Sequence, residues 1–127
     1  MKKLSNERGF TLLEILVAVT LMSVALLGMA GLTAALVKGN DFSSRVTMAS
    51  TLAQDKMEDM TKLGYANTDV ADTTFTEDYN TIPNFPFYKR VTLTDVDNPA
   101  AGMKTVTVTV FWAEDTHSIG PQTILTQ

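Results

Sequence analysis

Gly9-Phe10-Thr11-Leu12-Leu13-Glu14 opens a run of sequence that stays apolar as far as Val37. From Phe10 to Val37 the only charged residue is Glu14. At about 1.5 Å per residue, a helix of about 28 residues is roughly 42 Å long, more than the ~30 Å hydrocarbon core of a bilayer. The run is long for a secretory apolar region, and no small-residue cleavage signal follows it. Cleavage after the run is therefore not expected. Ahead of it, Lys2, Lys3 and Arg8 outweigh Glu7. A basic flank of this kind stays on the cytoplasmic side. The reading is a single membrane crossing with its amino end in the cytoplasm.

Glu14 is the anomaly in that segment. A carboxylate inside an apolar helix costs about 2.5–3.5 kcal/mol on insertion scales. It sits near the cytoplasmic end, so one reading is a tolerated interfacial group that snorkels or takes up a proton. The other is a carboxylate awaiting a cationic partner. Gly9 suits the extended, unhindered backbone that a peptidase requires, and equally suits a plain turn. Gly28 and Gly31 each weaken a helix by roughly 1 kcal/mol relative to alanine. They fit a helix that can stretch or partly melt, a small-residue helix contact, or simple tolerance.

The chain has 127 residues, one domain's worth, and a formal net charge of -4. Its 45% hydrophobic content averages a membrane-type segment with a water-soluble one, because charges become frequent from Lys38 onward. No basic stripe exists to neutralise phosphates, which argues against nucleic acid as a partner. There is no cysteine, so disulfides and thiolate metal sites are excluded. The single histidine, His117, lies beside Glu114 and Asp115 and is read as an exposed loop residue. Ser43-Ser44 has no histidine or other general base beside it in sequence, and no glycine-rich phosphate loop is present. No residue set supports an enzyme, a metal site or a cofactor.

Proline is absent before Pro83, so nothing forces the helix to stop at Val37. Lys38-Gly39-Asn40-Asp41 is a polar weak point. Beyond it, Phe42, Val46, Ala49, Ala53, Met57 and Met60 recur at four- and three-residue steps, an amphipathic stripe that Leu52 and Leu63 widen. Met48, Met57 and Met60 are read as core packing. Asp55, Glu58 and Asp59 form a solvated face, with Glu58 and Lys62 spaced to pair. Gly64 is the expected cap, giving one helix of about 54 residues from Phe10 to Leu63, roughly 80 Å long. Residues 67–85 read as a long loop. Phe87–Val96 and Met103–Ala113 alternate as strands around a turn at Asp97–Gly102, and Thr123–Thr126 is a short final strand. Val106, Val108, Val110 and Trp112 should face the helix stripe. The expected fold is α+β: one long helix on an antiparallel sheet of about three strands.

Lys2-Lys3, then Gly9-Phe10-Thr11-Leu12-Leu13-Glu14 and an apolar helix, resembles the prepilin signature of type IV pilins and type II secretion pseudopilins. The resemblance implies a pilin-like fold and three parts: a leader at 1–9, a transmembrane and assembly half at 10–37, and a head at 38–127. It implies cleavage of Gly9–Phe10 by a prepilin peptidase and N-methylation of Phe10. Glu14 then neutralises the amine of a neighbouring subunit, and the 67–85 loop corresponds to the family's variable loop. Gly31 stands where many pilins carry a helix-breaking proline. Implied partners are other pilins, an inner-membrane assembly platform and the lipid bilayer. The precursor would sit in the inner membrane with a periplasmic head, before entering a pilus fibre or pseudopilus.

Leu26-Leu27-Gly28-Met29-Ala30-Gly31-Leu32 and Leu52-Ala53-Gln54-Asp55-Lys56-Met57-Glu58-Asp59-Met60 resemble the PilV family of pilus modification proteins, which implies a minor pilin. Two other readings stay open. One is a minor pseudopilin of type II secretion, of the GspI kind. The other is a membrane-anchored binding module, such as an adhesin or DNA-uptake receptor, whose 67–85 loop holds a ligand.

Overall fold

The structure is a computed structural model that describes residues 11–67 and 73–127. The leader at 1–9, the Gly9–Phe10 bond and residues 68–72 lie outside the described residues. The chain divides into two compact units, Met1–Asp41 and Phe42–Gln127. In the first, the described residues are helical from Leu12 onward; the helix, α1, is Leu12–Asn67. Lys38-Gly39-Asn40-Asp41 keeps helical backbone despite its polar, glycine-containing sequence.

The expected cap at Gly64 is where α1 loses regularity. Gly64 has φ 71° and ψ 175°, a conformation open essentially to glycine alone. A further helical turn follows to Asn67 rather than an immediate loop. Lys104 holds that turn. Its Nζ donates to the Tyr65 carbonyl at 2.9 Å and lies 4.5 Å from the centroid of the Tyr65 ring.

The second unit has five strands: β1 Thr73–Glu77, β2 Tyr88–Val96, β3 Met103–Trp112, β4 His117–Ile119 and β5 Gln122–Thr126. All pairings are antiparallel, in the order β1-β2-β3-β4, with β5 also on β3. Two strands beyond the expected three are therefore present. β1 falls inside the stretch read as loop. Its Thr73-Thr74-Phe75-Thr76-Glu77 is rich in β-branched residues, and pairing with β2 overrides the turn-forming residues around it. β4 extends the final strand backward. Val110 faces Ile119 and Thr107 faces Gln122 in one register, and the Val108 amide donates to the Pro121 carbonyl at 3.0 Å across the break. Pro121 has no N–H to give in return, which is why the strand is interrupted there. The turn between β2 and β3 closes as expected, with Gly102 N donating to Asp97 Oδ1 at 3.0 Å.

The core lies between the β2–β3 face and one side of α1. Val106, Val108 and Val110 are fully buried, and Trp112 is nearly so. Ala49, Leu52 and Ala53 meet them, with Val46, Met57 and Met60 packed at the margins. Two small residues one turn apart let the sheet approach the helix closely. Met48 departs from its expected role: it is 40% exposed, because it lies off the Ala49–Ala53 line. Phe42 and Leu63, at the ends of the stripe, are about half exposed.

The inner face of β2 is polar. Arg90, Thr92 and Thr94 are all buried there. Arg90 Nε and Nη2 donate to the two carboxylate oxygens of Glu77 on β1, at 2.6 and 2.8 Å, and Nη1 donates to the Leu52 carbonyl at 3.1 Å. Lys56 Nζ stands 3.9 Å from the same carboxylate. The hydrogen bond from Arg90, with its charge and that of Lys56, outweighs partial burial and holds Glu77 below its ordinary value of 4.5. Tyr88 Oη donates to the Arg45 carbonyl at 3.4 Å. Three side chains of the sheet thus donate to α1 carbonyls, at Arg45, Leu52 and Tyr65.

Two outcomes are expected. Trp112→Ala should cost about 3–5 kcal/mol, read by denaturant unfolding of the full chain in detergent followed by circular dichroism. Arg90→Ala should cost about 3 kcal/mol, because it strands the Glu77 carboxylate and the Leu52 carbonyl together. Glu77 has the lower pKa when folded, so its contribution is present above its ordinary value and lost as pH falls through the folded one. Glu77→Gln should accordingly destabilise at pH 7 and flatten the acid limb of stability against pH.

Candidate functional site

The site residues marked by sequence cluster at the start of α1. Gly9 and Phe10 lie outside the described residues. Thr11 is the helix cap: its carbonyl accepts from the amides of Glu14 and Ile15 at 3.0 and 3.2 Å, and its Oγ1 stands 3.3 Å from the Glu14 amide. Thr11-x-x-Glu14 is thus a capping box in sequence, a threonine three residues before a glutamate at a helix start. Sequence reasoning treated Glu14 as an isolated charge and missed this local role. The Thr-x-x-Glu spacing is the signal that marks it. The first-turn position also favours a carboxylate, because the unpaired amides of a helix start carry partial positive charge. No described residue pairs with the Glu14 carboxylate.

The rest of the segment is built for an apolar surrounding. α1 contains one stretch long and apolar enough to cross a membrane, and none of that stretch is buried inside the molecule. Leu12, Leu27, Val24 and Met29 are each more than two-thirds exposed. The three hydroxyls in it turn back onto the helix. Thr20 donates to the Val17 carbonyl at 2.8 Å, Ser23 to Val19 at 2.7 Å and Thr33 to Met29 at 2.9 Å. Hydroxyls satisfied in this way impose little cost in lipid. Gly28 and Gly31 lie within the helix with open space at the position of an added Cβ.

In the second unit the residues considered for chemistry do not converge. The Asp115 carboxylate is engaged by Lys89 Nζ and by Tyr79 Oη at 2.9 Å, while the Asp115 amide donates to Tyr79 Oη at 3.0 Å. The Lys89 hydrogen bond, then that of Tyr79, holds Asp115 below its ordinary value. The same contact raises Lys89, and burial first, with Asp115 adding, raises the Tyr79 phenol. His117 is exposed as expected but lies on β4 rather than in a loop. Its ring stacks in an aromatic group, 5.6 Å from Trp112 and 5.4 Å from Phe42. Among the described residues no group of three potential ligands could hold a metal. Asp55, Glu58 and Asp59 are exposed, and Glu58 pairs with Lys62 at 3.0 Å.

The β3–β4 turn is conformationally costly. Ala113, Glu114 and Asp115 have φ of 53°, 55° and 63°, and Asn80 nearby in the β1–β2 connection has φ 64°. Left-handed backbone costs a residue with a Cβ about 1–2 kcal/mol. The Tyr79–Asp115–Lys89 network, together with the Thr116 amide donating to the Ala113 carbonyl at 3.1 Å, holds the turn in this state.

Residues 4–30 match the family model of the prokaryotic N-terminal methylation motif. Neither the curated proteins nor the solved structures provide a match to the chain. The described fold is the expected one, a long amino-terminal helix with a small antiparallel sheet packed on its later part. The methylation motif leading into an exposed apolar helix supports a type IV prepilin-like protein: a membrane-anchored precursor of a pilin or pseudopilin subunit, processed by a peptidase and assembled with other pilins.

Proposed function

We propose that the chain is a minor pilin, a structural subunit incorporated into a type IV pilus or priming its assembly. The observation that carries this reading is the methylation motif over residues 4–30, within an apolar stretch from Phe10 to Val37 whose only charge is Glu14. The precursor sits once through the inner membrane, its basic leader in the cytoplasm and its head, from Lys38 on, in the periplasm. The peptidase cuts between Gly9 and Phe10. The new amine on Phe10 is methylated and stays a cation. The 10–37 half then carries assembly, and flexibility at Gly28 and Gly31 lets it adjust in the filament.

The physics of assembly follows from the two charges. An ammonium and a carboxylate in a low-dielectric surrounding attract strongly, whereas either alone is costly. When the Phe10 amine of one subunit meets the Glu14 carboxylate of a neighbour, both costs are relieved by one contact. Thr11 supports that encounter by fixing where the helix begins and therefore where the carboxylate stands.

The mature protein is expected to begin at Phe10 with one added methyl group. Intact-mass measurement of protein from sheared filaments reads this directly, and retention of Met1 there overturns the reading. Glu14→Ala is expected to be cleaved normally yet to fall at least about tenfold in the sheared fraction, the equivalent of losing about 1.4 kcal/mol of assembly free energy. Undiminished incorporation of that variant removes the role assigned to Glu14.

A further inference from the structure

The second unit carries a concave site that the assembly reading does not use. Phe87, Pro86, Asn80, Tyr79, Glu114 and Arg45 line a depression of about 370 Å³. That volume lies at the small end of ligand pockets, which run roughly 300–1,000 Å³. It is open to solvent, and Phe87 on its wall is 71% exposed. The exposed ring is available as an apolar contact surface on the lining.

Two further observations fall on the same rim. Glu114 and Ala113 belong to the left-handed turn, and Asn80 is left-handed as well. Backbone strain of this kind persists where the surroundings impose it, and it gathers at ligand clamps. Here the Tyr79–Asp115–Lys89 network imposes it, and the Asn80 amide donating to the Pro86 carbonyl at 3.0 Å ties two residues of the lining together. Asn80 and Glu114 line the depression together with the exposed Phe87 ring.

We propose that this depression binds an uncharged saccharide unit of a glycan chain. A pyranose has one face of C–H groups and an equator of hydroxyls. The C–H face suits the Phe87 ring and Pro86. The hydroxyls each donate and accept, and so suit an amide, which does both, and a carboxylate, which accepts from two. Arg45 and Glu114 on the lining balance in charge, so the depression offers no net attraction to an ion of either sign, and acidic residues outnumber basic ones across Phe42–Gln127. The inference is independent of the assembly reading, which is tested through Glu14.

The test titrates the full-length protein in detergent micelles with chitotetraose and, separately, with cellotetraose, followed by saturation-transfer NMR. At least one tetrasaccharide is expected to bind. Phe87→Ala and Glu114→Gln, both at exposed positions, are each expected to weaken it by about threefold to tenfold while the near-ultraviolet dichroism of Trp112 stays unchanged. Absence of saturation transfer with both sugars overturns the proposal, as does an affinity that neither substitution alters. Light scattering covers the rival occupant. If the two substitutions abolish a concentration-dependent self-association and leave sugar binding unmoved, the depression is a contact between copies of the chain and the proposal fails.

Discussion

The guanidinium of Arg90 is the point on which the second unit is assembled. It leaves the middle of β2, pairs with Glu77 on the edge strand and reaches the carbonyl of Leu52 in α1. One side chain therefore joins a central strand, an edge strand and the helix. Apolar packing of Val106, Val108 and Val110 on Ala49 and Ala53 supplies contact area but little directional preference. Arg90 supplies direction, and Tyr88 and Lys104 repeat the device at Arg45 and Tyr65. The three contacts fix how far along the helix the sheet sits. That matters in a fold whose core is a single sheet face against a single helix.

The first unit follows a different rule, because its surroundings differ. Among its described residues the large apolar side chains are exposed, and the hydroxyls of Thr20, Ser23 and Thr33 are satisfied by their own helix. The one charge between Phe10 and Val37, Glu14, is placed where a helix start tolerates a carboxylate best. Stability in the second unit is built within the chain, by burial and a bidentate ion pair. The apolar surface of the first is completed by lipid or by other chains.

Much of this was legible in the sequence because the periodicities were strong. Alternating valines and threonines from Val106 to Trp112 specify a strand and its buried face, and the Phe42–Met60 spacing specifies the helix stripe. β1 was hidden because Thr73–Glu77 lies among aspartate, asparagine and threonine. Its strand character comes from pairing with β2 and from the Glu77–Arg90 contact, thirteen positions of chain that no local pattern spans. β4 was hidden because Gly120-Pro121 reads as a loop, whereas the register runs through it. At the candidate site the leader motif and Glu14 were plain from residue type and position. The capping by Thr11 was present as a spacing but overshadowed by the charge. The depression beside Phe87 was not legible at all, since it joins residues from three separated segments.

The inward-turned hydroxyls of Thr20, Ser23 and Thr33 bear on mechanics. Each has committed its proton to a carbonyl of its own helix. Adjacent helices meeting across this surface find methyl and methylene groups, and no ladder of directional bonds to lock one against the next. Contact across such a surface rests on dispersion and on how well the side chains interdigitate, with no hydrogen bonds of fixed direction from these hydroxyls. In the assembly proposed above, the charge contact at Glu14 would be the directional tie near the amino end of the helix. Resistance to sliding in that assembly would come from side-chain interlock along the helix and not from a ladder of hydroxyl bonds.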